Sequence, residues 1–367
     1  MGFSKFHGNT KIVAALRSML AAERVPHAML FTGPAGVGKY TLARLFAQAA
    51  NCQQSRDDAC GECEPCRKIA QLADPRPLIR QGLEQRGERP DAATVERIPL
   101  LLQTHPDVWV IVPDPVRPKD PVAHPVLHVG QLRAIQRAAY FKPTARRRVF
   151  ILDGAETMQW QHASIFLKIL EEPPESATLI RLAPNPHLLL PTIRSRCLQF
   201  AFAPLPDSDV EQILRARTDW KSAERKLAAQ IAEGSPGAAL ALDLDAAMQL
   251  RRDVLAVLEH AADLRAPADL FVRTAALAKS QDVAFEIVLE VFYSLLTDLL
   301  ELSGTSSGQK LRNPILRKEL EVLSRKVSPD WVSRAVGGLD QLHGRLRRNI
   351  NRALGLDAVT VSLGAVR

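Results

Sequence analysis

The run Gly33-Pro34-Ala35-Gly36-Val37-Gly38-Lys39 constrains the fold of this chain more than any other stretch. It follows the apolar Met29-Leu30-Phe31 and precedes a helical pattern from Leu42 to Ala50. Strand, glycine-rich loop and helix in that order make a P-loop, in which successive N–H groups and a helix N-terminus face a phosphate. Gly33, Gly36 and Gly38 let the backbone wrap the phosphate, and Lys39 reaches its terminal oxygens, so ATP or ADP is the expected ligand. The next residue should be Ser or Thr, whose hydroxyl binds Mg²⁺. Here it is Tyr40, and Thr41 stands one place later, about 100° further round the helix. Phosphate cradling is expected to survive, and metal placement to suffer.

Further β-rich runs lie at Ala28–Thr32, Val108–Val112, Arg148–Asp153 and Thr178–Leu182, with a weaker one at Leu198–Ala201. Helical patterns separate them, which predicts an α/β fold with a parallel sheet and crossover helices. Asp153 ends a strand where a nucleotide-associated carboxylate belongs, but Gly154 follows it in place of a water-activating acid. Glu156, two residues on, is no substitute by spacing. The polar stretch Arg76–Pro99 has no clear period and is expected to loop out. Asp114–Pro125, with four prolines, is expected to be a loop. Beyond Pro204 the strand signals vanish. A small helical unit is expected over about 207–244, closed by Gly234-Ser235-Pro236-Gly237, then a long all-helical region broken at Ser303–Gly308. The chain of 367 residues has room for two or three domains of roughly 150 residues. The boundaries expected are 1–203, 204–245 and 246–367.

Four of the five cysteines cluster as Cys52, Cys60, Cys63 and Cys66, a C-x7-C-x2-C-x2-C spacing. Four thiolates at loop spacing suit one tetrahedral Zn²⁺, and a closed shell of four sulfurs makes that metal structural. Gly61 and Pro65 favour the tight turns between ligands. Cys197 is expected to be a packing residue.

Composition narrows the function classes. Charged residues at 24% and apolar residues at 46% exclude wholesale disorder, collagen and coiled coil. Aromatics at 5% argue against an extended stacking platform for single strands. The net charge is +8, and residues 310–367 carry twelve basic and five acidic side chains. That basic end fits a polyanionic partner, an acidic protein surface or a solvated helical face equally well. No apolar leader and no uninterrupted 18-residue apolar run is visible, so a cytoplasmic protein without membrane contact is expected.

Several motifs together resemble those of the delta-prime family of bacterial clamp-loader subunits, in the AAA+ superfamily. They are Gly8-Asn9, Arg24-Val25-Pro26-His27-Ala28, the P-loop, the cysteine cluster after the first helix, and His105-Pro106-Asp107. Leu167-Lys168-Ile169-Leu170-Glu171-Glu172-Pro173-Pro174 and Pro191-Thr192-Ile193-Arg194-Ser195-Arg196-Cys197 are the most specific. The likeness covers roughly residues 8–200 and is weaker in the C-terminal helices, around Arg348–Arg352. It implies a P-loop AAA+ domain with an inserted zinc module at about 52–66, a helical lid and an all-α collar. It also implies that Asn185 is a polar sensor, and that Arg196 is an arginine finger offered in trans to a neighbouring ATPase subunit. The partners implied are motor subunits, a clamp-opening subunit, the sliding clamp and primed DNA. Motor subunits carry Gly-Ser-x-Arg in the lid, where this chain has Gly237. Without that arginine, the hydroxyl after Lys39 and the acid after Asp153, the chain is not expected to hydrolyse ATP by itself. The alternatives are a self-sufficient clamp-loader motor ATPase, and a stand-alone zinc-containing DNA-binding ATPase.

Overall fold

The computed structural model describes residues 2–88, 90–115, 125–158, 163–263, 267–279, 285–304, 311–346 and 350–364. Packing divides the chain into two units. One holds Met1–Thr218 with Gly234–Leu240, and the other Asp219–Glu233 with Ala241–Arg367.

The first unit is built on a sheet of strands β1 (Ala28–Thr32), β2 (Leu102–His105), β3 (Val108–Ile111), β4 (Arg148–Leu152), β5 (Ala177–Ala183) and β6 (Leu198–Ala201). Their order is β2-β3-β4-β5-β1-β6. Every neighbouring pair is parallel except β2 with β3. The predicted parallel sheet is therefore present, with one antiparallel edge strand added.

Helices α1 (Thr10–Ala21), α2 (Lys39–Ala50) and α3 (Glu64–Ala70) follow the first part of the chain. α4 (Arg76–Glu84), α5 (Ala92–Arg97), α6 (Val129–Ala139), α7 (Ala163–Glu171), α8 (Pro191–Arg194) and α9 (Asp207–Arg217) come after. The side-chain period of two puts alternate residues of β4 on opposite faces. Val149 and Ile151 join one core with Leu42 and Phe46 of α2 and Leu16 of α1. Phe150 and Leu152 join another, with Leu132 and Ile135 of α6 and Ile169 of α7. The unit is thus a mostly parallel sheet with helices on both faces, the α/β class that the sequence predicted.

The expectation that Arg76–Pro99 loops out is wrong. The segment forms α4 and α5, with Leu78 and Ile79 against the main core. It is pinned by an ion pair between Arg86 and Asp114 at 2.6 Å, with both side chains fully buried, and by the Arg86 Nε–H bond to the Ile98 carbonyl at 2.7 Å. The anchor lies across a loop, outside any local period. Residues 116–124 of the expected proline-rich loop, 305–308 of the Ser/Gly loop, and Arg348-Asn349 fall outside the described residues.

The second unit is helical throughout its described residues: α10 (Ser222–Ile231), α12 (Leu244–Asp263), α13 (Pro267–Lys279), α14 (Phe285–Ser303), α15 (Arg317–Ser324), α16 (Pro329–Leu346) and α17 (Arg352–Gly364). α11 (Pro236–Leu240) belongs to the first unit. The segment 204–245 is therefore shared, with α9 and α11 in one unit and α10 in the other. One apolar core joins α12 to α17 through residues such as Val254, Phe292, Leu320, Trp331, Leu339 and Leu356. No helix among the described residues is long and apolar enough to cross a membrane.

Candidate functional site

The P-loop sits at the C-terminal end of β1, which lies between β5 and the edge strand β6. Its start is fixed by the Gly33 N–H bonding the Pro184 carbonyl beyond β5. Gly36 has φ +77°, which only glycine adopts without strain, and a Cβ there would stand 2.7 Å from the Ala238 nitrogen. That nitrogen belongs to the residue just after Gly234-Ser235-Pro236-Gly237, the segment expected to close the lid. The Gly237 N–H donates to the Gly36 carbonyl at 2.8 Å, so main chain lies directly on main chain. A Cβ at 237 would meet the Gly36 Cα at 2.9 Å. Phe6 lies over the other end of the loop, 3.0 Å from where a Gly38 Cβ would be.

Lys39 donates to the carbonyls of Gly33 (2.6 Å) and Pro34 (2.8 Å). Burial pulls its ammonium pKa down, against the opposing pull of Asp153 and Glu156. Asp153 follows β4 immediately, and burial pushes its carboxyl pKa up while the Gly154 N–H and Lys39 hold it back. Burial also raises Glu156, and repulsion from Asp153 adds to that shift. Its Oε2 is buried with no hydrogen-bond partner among the described residues. Glu156, set aside on spacing, is thus brought into electrostatic reach of Lys39 and Asp153. The signal that could have found it is the tight turn at Gly154 (φ +61°) leading into the short helical turn Ala155–Thr157. Gly154 cannot carry a side chain in this turn, because a Cβ would meet Pro113 Cγ at 2.5 Å.

Tyr40 points away from the phosphate end. Its hydroxyl donates to the Leu72 carbonyl at 2.6 Å, and burial pushes its phenol pKa up. The residue at the hydroxyl position of the P-loop helix therefore ties α2 to the chain beyond α3. A second tie lies deeper, where Arg44 Nη1 donates to Gln48 Oε1 (2.9 Å) and Gln48 Nε2 to the Cys66 carbonyl (2.8 Å). Every residue from Leu42 to Ala50 is buried, because α2 is covered by the sheet on one side and the cysteine module on the other.

The four predicted cysteines come together, with all Sγ atoms within 4.8 Å of one another. A tetrahedral zinc with Zn–S bonds near 2.3 Å needs sulfurs about 3.8 Å apart. The Cys60 and Cys66 sulfurs are 3.9 Å apart. Backbone N–H groups point at the sulfurs: Ser55 and Cys60 at Cys52 (both 3.4 Å), and Glu62 (3.4 Å) and Cys63 (3.3 Å) at Cys60. Desolvation works against the Cys60 thiolate, but those N–H groups and the neighbouring thiols outweigh it and bring its pKa down to about 6. Burial pushes Cys66 up. Four sulfurs at these separations could hold a metal ion. Cys197 is elsewhere, against the Arg181 guanidinium.

Asn185 follows β5, close to the start of the P-loop, and its Oδ1 accepts the His187 N–H at 2.9 Å, capping a short turn. Arg196 lies between α8 and β6. It is exposed, pairs with Glu171 at 3.0 Å, and donates to the Thr192 carbonyl at 3.0 Å. Because Leu198 is in register with Met29, Arg196 stands at the strand end opposite the P-loop. The strand between spans about 13 Å. The structure thus brings Lys39, Asp153 and Glu156 together, gathers the cysteines in a module of their own, and keeps Arg196 away from the P-loop.

A family model described as DNA polymerase III, delta subunit, matches residues 8–206. The DNA polymerase III subunit delta' of Pseudomonas aeruginosa is 28% identical over 344 residues, covering 91% of this chain and 90% of that protein. The gamma/tau subunit of Mycobacterium bovis is 29% identical over 214 residues, 58% of this chain but 30% of that longer protein. A gamma-subunit-related protein from Thermotoga maritima superposes over 96% of this chain and 98% of its own, at 16% identity and a TM-score of 0.41. With more than half of its length matched by the family model, on the segment that carries the P-loop, the cysteine module and Arg196, the chain belongs to the family of DNA polymerase III delta subunits.

Proposed function

We propose that this chain is a non-motor subunit of a replicative clamp loader. In this reading it offers Arg196 in trans to a neighbouring ATPase subunit and helps load the sliding clamp onto primed DNA. Motor subunits, a clamp-opening subunit, the clamp and the DNA are its partners in the cytoplasm. A structural zinc sits on Cys52, Cys60, Cys63 and Cys66. Any ATP or ADP is held without hydrolysis, in contact with Gly33, Gly36, Gly38, Lys39, Thr41, Asp153 and Asn185.

The observation that carries the reading is how the two ends of the sheet differ. At the P-loop end, the places for an acid after Asp153 and an arginine at 237 are taken by Pro113 and by the Gly36 backbone. At the other end Arg196 is exposed, too far from its own P-loop to serve it. An arginine suits a phosphoryl-transfer site because its planar fork neutralises several oxygens at once. The similarity to a delta' subunit over nine-tenths of both chains supports the same reading.

Reconstitution with the motor and clamp-opening subunits tests it. Arg196→Ala should leave assembly intact and lower clamp-stimulated ATPase by about 10³-fold at the site it serves, within the range known for arginine fingers. Lys39→Ala should change turnover less than about twofold, against the ~10³-fold finger effect. The reverse pattern, a large loss from Lys39→Ala with near-normal activity from Arg196→Ala, would make the chain a motor.

A further inference from the structure

Away from the P-loop, the first unit holds a cavity of about 430 Å³. Leu20 at the end of α1, Val25 and Ala50 at the end of α2 give it an apolar floor. Its rim carries Arg56, Arg146, Arg147 and Glu23, three cations against one anion. The volume is within the range of small-ligand sites, and four of the seven lining residues are charged, so the polar rim dominates the lining.

The arginines are held in place without being used up. Asn51, at the end of α2, accepts the backbone N–H of both Arg146 (3.2 Å) and Arg147 (3.0 Å). Arg146 Nη1 donates to the Ser55 carbonyl at 3.2 Å, and Arg147 Nη1 to Thr178 Oγ1 at 3.1 Å. Arg56 Nη1 pairs with Glu23 at 2.8 Å. A guanidinium has five N–H donors, so each keeps most of its own. Among the described residues neither Arg146 nor Arg147 has a carboxylate within ion-pair distance. Arg147 is half-buried, and desolvation alone accounts for the fall in its pKa. A half-buried cation with no counter-charge is costly unless an anion completes it.

We infer that this cavity is a nucleoside phosphate site separate from the P-loop, with the phosphate on Arg146 and Arg147 and the base on the Leu20, Val25 and Ala50 floor. Guanidinium groups bind phosphate bidentately, and Leu20, Val25 and Ala50 offer the edge of a base an apolar contact. A simple inorganic anion would use the rim and waste the floor. The ligand is either a free nucleotide or one residue of a single strand, since both present the same chemistry. The site lies at the N-terminal ends of β1, β4 and β5, so it can be filled whatever the state of the P-loop.

Fluorescence anisotropy of a short labelled oligothymidylate, with the full-length protein carrying Lys39→Ala to silence the P-loop, tests this directly. Arg146→Glu and Arg56→Ala change exposed side chains and should leave the melting temperature unmoved. Arg146→Glu should weaken binding by about tenfold or more at low salt, and lower the slope of log affinity against log salt by about 0.7 for each phosphate that is no longer neutralised. Unlabelled thymidine monophosphate as competitor identifies a free-nucleotide site if it displaces the probe, and a strand site if only unlabelled oligomer does. Equal affinity and slope for parent and Arg146→Glu overturns the site. Pyrophosphate competing as well as thymidine monophosphate overturns the role of the apolar floor.

Discussion

Tyr40 shows how one residue can be moved from chemistry to architecture. The phenol that replaces the expected hydroxyl closes a hydrogen bond to Leu72 and packs beside the main core. Tyr40→Phe leaves the Leu72 carbonyl without that donor and should cost about 1 kcal/mol, read as a lower urea midpoint at unchanged slope. Tyr40→Ser also opens a cavity and should cost about 3 kcal/mol or more. It should not create ATP turnover, because Gly154 and Gly237 are still unable to carry their missing side chains; measurable Mg²⁺-dependent hydrolysis by Tyr40→Ser would show that the hydroxyl alone was limiting. The identity of Tyr40 as a departure is plain from the sequence. Its partner is not, since Leu72 lies beyond the cysteine loop and only the fold brings its carbonyl into reach.

At the scale of elements, what could be read from the sequence was what is local. The P-loop, the strands flanking it and the cysteine spacing are contiguous patterns, and the structure brings each together where the pattern put it. The antiparallel strand Leu102–His105 was missed because a four-residue edge strand carries too little alternation to stand out; two of its four residues are buried. The helices of Arg76–Arg97 were missed because their anchor, Arg86 on Asp114, is a tertiary contact. The main-chain contact at the candidate site was equally invisible, because Gly36 and Gly237 are far apart in the chain. That contact predicts the behaviour of the loop. Gly36→Ala forces a Cβ into a positive-φ position, worth about 1–2 kcal/mol, and drives it into the Ala238 amide. It should lower stability by about 2 kcal/mol or more, and the Gly237 amide should lose its hydrogen-exchange protection.

For the whole molecule, the cysteine module and the P-loop helix form one hydrogen-bonded body through Tyr40, Gln48 and Cys66, whereas the helical unit has its own apolar core. Metal analysis should give one zinc per chain. Its removal by chelator, or Cys66→Ser, should shift one calorimetric transition to lower temperature and leave that of the helical unit in place, since metal binding is coupled to folding where the ligands lie. A single transition that moves as a whole would mean that the two units melt together. The packing of Gly237 on Gly36, and that of Gly154 on Pro113, also bear on history. From a glycine codon arginine is one base change away and glutamate one or two, so either side chain is ordinarily easy to acquire. Here neighbouring atoms occupy the space, and either substitution would meet a clash before it met a substrate. On the proposed non-motor reading these contacts work as a ratchet: a lineage carrying the two glycines can drift in sequence and still be held to the role of an accessory.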